Sequence, residues 1–193
     1  MLPNPIDPAT PLGLADLATL VVVMLAVANL LYYTVKTGVP PMPTRPVVRD
    51  AMFRLIPEDL APNRIYDLGC GWGTLIFPLA KKFPDAKVIG IEVSPLPYLF
   101  CQIRRFAQPR SNLEIRYGDF NQKDLSDADL VVCYLMVRPM NPLSDKLGRD
   151  LKDGTIVISN SFALREWEAE EIEIVPESLS VWVYRYRVGN TDI

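Results

Sequence analysis

The chain has 193 residues, a net charge of −3 and no histidine. Lacking histidine, it cannot build Ser-His-Asp or Cys-His nucleophiles, imidazole bases or most zinc sites, and its acidic balance without a basic stripe argues against nucleic acid as a partner. Cys70, Cys101 and Cys133 show neither metal nor disulfide spacing, read as small buried apolar residues, and leave no metal to be expected.

In chain order, residues 1–13 contain four prolines and read as an extended lead. From Leu17 to Val35 no charge interrupts the sequence, and Leu14 and Ala15 extend the run to a length that spans a bilayer core of about 30 Å. A buried core helix and a cleaved signal peptide are the alternatives. Against them, a polar face is nearly missing, no Lys or Arg precedes the run, and the sequence stays apolar past Ala26-Val27-Ala28. Residues 14–35 are therefore read as an uncleaved, single-pass membrane helix. Asp7 and Asp16 come before the uncharged run, while Lys36, Arg45, Arg49 and Arg54 follow. Positive charge stays inside, so the following domain is expected in the cytoplasm. With no basic leader, a prokaryotic cell membrane fits better than a mitochondrial import route.

Residues 36–46, rich in proline, read as a stiff link, and residues 41–193 as the globular domain. The short link predicts a pocket facing the head-group layer. It also suggests that a chain starting near Gly38 would keep its ligand affinity. Thr44 reads as the cap of a helix with the apolar stripe Val47, Val48, Ala51, Met52 and Leu55. Strands follow at Arg64–Leu68, Lys87–Val93 and Leu113–Tyr117, then at Ala128–Met136 and Thr155–Ser159. Helices fall between them. One runs through Leu75, Ile76, Leu79 and Phe83, with Pro78 forcing a kink or a late start. Another opens at Ser94-Pro95 and carries Leu96, Leu99, Phe100, Ile103 and Phe106 on one face; a third covers about Asn141–Leu151. Glu171–Val175 and Leu179–Val188, separated by a short turn, read as an antiparallel hairpin. The fold predicted is α/β: a doubly wound, mostly parallel, seven-stranded Rossmann-like sheet ending in that hairpin.

The chemistry centres on Asp67-Leu68-Gly69-Cys70-Gly71-Trp72-Gly73, a strand breaking into a Gly-x-Gly-x-Gly loop ahead of a helix. Such a loop lets backbone approach a ligand and presents N–H groups to it. Dinucleotides and S-adenosyl-L-methionine both use the arrangement. The dinucleotide fingerprint needs a third glycine where this chain has Thr74, which makes a dehydrogenase a distant reading. The pattern resembles motif I of class I S-adenosylmethionine-dependent methyltransferases. Glu92 lies about 20 residues beyond the loop, the spacing of an acid that accepts ribose hydroxyls. Asp119 and Phe120, after the third strand, suit an adenine amino group and ring.

From Pro41 to Val188 the chain resembles a family of small protein-lysine methyltransferases. That family includes broad-specificity archaeal enzymes and mitochondrial enzymes acting on the adenine nucleotide translocase and the ATP synthase c-subunit. The matching stretches include Pro43-Thr44, the Asp67–Gly73 loop, Gly90-Ile91-Glu92, Gly118-Asp119-Phe120, Asp129–Leu135, Ser159-Asn160-Ser161-Phe162 and Trp167. The mitochondrial members also carry an N-terminal membrane segment. The resemblance implies Thr44, Asp67, Gly69, Gly71, Gly73, Glu92, Asp119 and Phe120 as cofactor contacts, with Cys70 of the same loop beside them. Departures are Gly71-Trp72-Gly73-Thr74 for the usual Gly-Asp-Gly-Arg, Pro41 for a tyrosine and Ser161 for an acid. Tyr134 and Asn160, at strand ends, are candidates to orient a neutral amine. Trp72 and Trp167 are candidates for an aromatic slot, and the acidic run Glu166–Glu173 reads as a solvated face. The expected activity is methylation of lysine in a membrane or membrane-proximal protein. A lipid or small-amphiphile methyltransferase and a non-catalytic cofactor-binding module are the alternatives.

Overall fold

The residues from Leu130 to Cys133 are all apolar and all buried, as a strand covered on both faces must be. The computed structural model describes residues 13–176 and 180–189. Nearly all of the lead expected over 1–13 and the turn expected before the last strand lie outside the described residues. At the centre, β1 (Arg64–Leu68) pairs in parallel with β2 (Lys87–Glu92) and β4 (Leu130–Cys133). β3 (Leu113–Tyr117) extends the sheet beyond β2, and β5 (Ile156–Asn160) beyond β4. β7 (Val181–Arg187) returns antiparallel to β5, and β6 (Glu171–Val175) forms the edge. The order β3-β2-β1-β4-β5-β7-β6 reverses direction between β1 and β4. The carboxyl ends of those two strands therefore form the crevice where doubly wound sheets hold ligands.

Alternating strand residues feed two apolar layers. Ile65, Val88, Val132 and Ile158 meet α2 (Pro46–Arg54), α3 (Ile76–Lys82) and α4 (Pro95–Ala107). Leu68, Ile91, Val131 and Val157 meet α5 (Val137–Asp150). α3 starts late, so Pro78 falls in a first turn whose N–H groups have no intrahelical acceptor. β4 is shorter than its apolar run, because Tyr134-Leu135-Met136 leaves the sheet and α5 begins a turn earlier than expected. Thr44 is not a cap: Arg45 occupies the N-cap, Pro46 the first helical position, and Val47 is exposed.

The largest departure concerns α4. It packs through the small residues Pro97 and Cys101, while Leu99, Phe100, Ile103 and Phe106 are 55%, 46%, 61% and 91% exposed.

α1 (Leu14–Thr37) is long and apolar enough to cross a membrane and has no buried residue. Gly38 closes it in a left-handed cap at φ 74°, donating to the Thr34 carbonyl at 2.8 Å. Its last turns touch the domain. α1 packs against α4, the Tyr33 and Tyr117 hydroxyls lie 3.3 Å apart, and Arg138 Nη1 donates to the Val35 carbonyl.

Candidate active site

Three left-handed glycines, Gly69, Gly71 and Gly73, fold the segment after β1 into a tight loop. The N–H groups of Gly69 and Cys70 both donate to the Ile91 carbonyl, at 2.9 and 3.2 Å, and Gly73 N–H donates to Cys70 O at 2.8 Å. Gly71 N–H donates to Glu92 Oε2 at 2.8 Å, and Ser94 N–H to Glu92 Oε1 at 2.8 Å. The expectation of a loop presenting free N–H groups is thus corrected, since these donors are spent inside the chain. What the loop offers is shape. At Gly71, φ is 51° and an added Cβ would meet nothing nearer than Gly69 O at 3.8 Å, so the glycine keeps open space clear of a side chain.

That space belongs to a cavity of about 440 Å3 at the carboxyl ends of β1, β2 and β4. Gly69, Gly71, Glu92, Asp119, Phe120 and Tyr134 line it. Glu92 is 7% exposed; burial raises its pKa, while N–H donors from Ser94 and Gly71 pull it back. Asp119 Oδ1 accepts from Asn121 N and Nδ2, both at 2.9 Å.

Five of the expected residues do not reach the cavity. Thr44 is buried behind it, its N–H donating to Thr74 Oγ1 at 3.0 Å. Gly73 packs beneath the loop, where a Cβ would stand 2.8 Å from the Phe77 ring. Cys70 is buried, its thiol pKa raised by the hydrogen bond with Cys101 and by burial; Cys101 Sγ in turn donates to Gly71 O at 3.1 Å. Asn160 is 2% exposed and accepts the Ser161 hydroxyl at 2.9 Å. Asp67 is 1% exposed, and its Oδ2 has no partner among the described residues. Burial, then the charge of Glu92, pushes the Asp67 pKa up to about 8, against the pull of the Ile76 N–H.

Trp72 lies outside the cavity too, donating to Pro41 O at 2.7 Å and packing edge-on against Phe100. Trp167 packs edge-on against Tyr186. Neither walls an aromatic slot. In the acidic run, Glu170 and Glu171 pair with Arg185, and Glu173 with Arg54.

Sequence reasoning missed the wall opposite the loop. Lys36 and Thr37 of α1, with Val39 and Pro40, line the same cavity, as does Arg138 at the start of α5. The short link was the available signal, since it leaves the helix end little room to stand apart.

Residues 67–171 match the ANTKMT methyltransferase domain family. The chain is also 30% identical over 159 residues to a protein-lysine N-methyltransferase of Saccharolobus islandicus (strain REY15A), spanning 77% of this chain and 92% of that one. The chain belongs to the ANTKMT methyltransferase family. A magnesium-protoporphyrin O-methyltransferase of Rhodobacter capsulatus is 30% identical over 88 residues, 46% of this chain and 38% of that protein. Among solved structures, an RNA methyltransferase from Salinibacter ruber, in complex with S-adenosyl-L-homocysteine, superimposes with a TM-score of 0.68. It is 27% identical and covers 79% of this chain and 97% of that one.

The protein is thus a class I S-adenosylmethionine-dependent methyltransferase, which removes the non-catalytic module. The cavity suits the cofactor. It is large enough for a small molecule, Gly71 keeps a cradle open, and the buried Glu92 and half-buried Asp119 line it to meet a cationic sulfonium compound.

Proposed function

We propose that this methyltransferase N-methylates lysine side chains of a membrane or membrane-proximal protein, at the cytoplasmic face of a prokaryotic cell membrane. One observation carries the membrane part: Lys36 and Thr37, at the end of the apolar helix, line the cavity that suits the cofactor. A substrate entering that cavity must then approach beside the anchor. The lysine part is supported by the archaeal relative. RNA, named for the Salinibacter relative, is disfavoured by the net charge of −3.

Glu92 is assigned to the cofactor ribose, because each carboxylate oxygen carries one backbone bond and keeps further acceptor capacity. Asp119 Oδ2 is assigned to an adenine amino group and Phe120 to the ring. Gly69 and Gly71 give the close approach, while Thr44, Asp67, Cys70 and Gly73 act behind the cavity by holding the loop. The bound cofactor supplies a methyl group already activated on sulfur, so the chain's work is alignment. Tyr134 lines the cavity and orients the neutral amine through its hydroxyl. Asn160, buried behind it, fixes the turn at Ser161.

A second reading, methylation of a lipid head group or small amphiphile, is favoured by the same position of the cavity beside the anchor. The test adds methyl-labelled cofactor to native membranes with and without the enzyme, then separates protein from lipid. Label on lysine of a membrane protein supports the first reading; label in the lipid extract supports the second. Enzyme-dependent label in neither would overturn both.

A further inference from the structure

The apolar stripe on the outside of α4 stands largely exposed, with Trp72 edge-on against Phe100, and four features say what covers it. First, Leu99, Phe100, Ile103 and Phe106 form a continuous exposed face, as residues three and four apart do on a helix. A patch of this kind marks an interaction surface. Second, the face continues onto the anchor. α1 packs against α4, and the Tyr33 hydroxyl meets that of Tyr117, whose ring lies 5.3 Å from Tyr98 of α4.

Third, the length of α1 sets a depth. Ala26, Asn29, Leu30, Tyr33, Thr34 and Thr37 are half-buried at helical spacing, and Asn29 Oδ1 is fully covered. The uncovered part, Leu14 to Leu25, rises only about 18 Å at about 1.5 Å per residue. A bilayer core is about 30 Å thick, so the last turns of α1 are needed to complete the crossing. The domain surface beside those turns then lies at membrane depth. Fourth, although the whole chain is acidic, no Asp or Glu occurs from Pro95 to Leu113; Arg105 supplies positive charge there, while the Arg104 guanidinium turns inward over the Phe77 ring at 4.2 Å. An amphipathic helix with basic residues and large apolar ones suits the boundary of an anionic bilayer.

We propose that the outer face of α4 is a second membrane contact, seated in the leaflet that α1 crosses, so that the catalytic domain is sunk into the bilayer surface rather than tethered above it. The proposal rests on the reading that α1 spans the membrane. Its own content is the position of α4, which a hydrophobic anchor alone does not require.

The full chain is reconstituted in vesicles of phosphatidylcholine with phosphatidylglycerol. Single cysteines are introduced as Ile103→Cys or Phe106→Cys and labelled with an environment-sensitive fluorophore. Cys70, Cys101 and Cys133 are buried, so the label goes to the new site. Val22→Cys on α1 and the exposed Glu168→Cys serve as references. Labels at positions 103 and 106 are expected to lose fluorescence to nitroxide-bearing lipid as strongly as the label at Val22, and to resist iodide; Glu168 shows the reverse. Iodide quenching at 103 and 106, with Val22 still quenched by lipid, overturns the proposal and leaves the spanning helix standing. Protection from both quenchers also overturns it, because a second copy or another protein then covers the face. Iodide quenching at Val22 overturns the spanning reading itself, and this proposal with it.

Discussion

Arg138 Nη1 donates to the Val35 carbonyl at 3.3 Å, and its side chain lies over Gly38, where an added Cβ would stand 2.9 Å from Arg138 Cδ. The bond satisfies one of the last-turn carbonyls that a helix cannot pair internally, and a cation there suits the helix dipole. Since Arg138 and the neighbouring Lys36 and Thr37 line the cavity, this link closes one wall of the site. Removing it in Arg138→Ala is expected to forfeit about 0.5–1.5 kcal/mol, and cofactor affinity should fall roughly threefold to tenfold. Gly38→Ala reaches the same wall by pressing its Cβ onto the Arg138 side chain, and should move affinity in the same direction. Unchanged affinity by calorimetry in both variants would show that docking of α1 does not shape the pocket.

Glu92 has two tasks that a pair of substitutions separates. Its carboxylate fixes Gly71 and Ser94 from within, and the proposed ribose contact uses the remaining lone pairs. Glu92→Ala strands two backbone donors, so both thermal stability and affinity should drop. Glu92→Gln keeps the volume and one acceptor oxygen but turns an NH2 toward the other backbone donor. It should lose less stability than Glu92→Ala while losing roughly tenfold to a hundredfold in cofactor affinity, the range set by about 1.5–3 kcal/mol for charged hydrogen bonds. A Gln variant with wild-type affinity would remove Glu92 from the cofactor contacts.

The sheet was legible because strand burial leaves a direct mark: the runs at Arg64–Leu68 and Leu113–Tyr117 match β1 and β3 to the residue. That Glu92 and Asp119 line the cavity was legible because doubly wound sheets bind ligands at the carboxyl ends of their central strands, and Glu92 also stands at the spacing that the glycine loop sets. α4 misled for a physical reason. Pro97 and Cys101 share helical spacing, as do Leu99, Phe100, Ile103 and Phe106, and hydrophobicity ranks the larger set as the core face. Close packing on the sheet selected the smaller residues. The wall formed by Lys36 and Thr37 depends on a contact between distant segments, which no local pattern encodes.

Asp67 predicts an unusual pH profile. Burial and the charge of Glu92 raise its pKa from 3.8 to about 8, so the folded state holds a proton that the unfolded chain releases near pH 4. Between those values the native state binds the extra proton, and stability falls as pH rises, by at most about 1.4 kcal/mol per pH unit from this group. Below both pKa values and above both, Asp67 adds no slope. Asp67→Asn mimics the protonated shape and should flatten this part of the profile, leaving the variant relatively more stable toward alkaline pH. Parallel melting curves for the two proteins from about pH 5 to pH 8 would refute the assignment.

Gly90 of β2 supports the loop from below. An added Cβ would stand 2.8 Å from Cys70 Sγ and closer still to Ile76 Cδ1, both fully packed. Gly90→Ala should therefore cost about 1–3 kcal/mol through overpacking, a fall of several degrees in Tm for a chain of this length. A paired Ile76→Val change, which removes the nearest methyl, should recover part of it. No recovery would place the strain elsewhere.

The final prediction reverses one drawn from the sequence alone. If α1 were only an anchor joined by a stiff link, a chain starting at Gly38 would bind cofactor as the full chain does. In the structure that truncation deletes Lys36 and Thr37 from the cavity wall and removes the Val35 carbonyl that Arg138 meets. It also uncovers Tyr117 by taking away the Tyr33 hydroxyl. Cofactor affinity should then fall more than in Arg138→Ala, and activity on a soluble lysine peptide should fall with it. A chain beginning at Ala26 retains the half-buried stripe of α1 but lacks the length to cross a bilayer, at about 18 Å over Ala26–Thr37. In detergent it should bind cofactor like the full chain, yet fail to integrate into membranes. Equal affinity for all three proteins would mean that α1 contributes nothing to the pocket it borders.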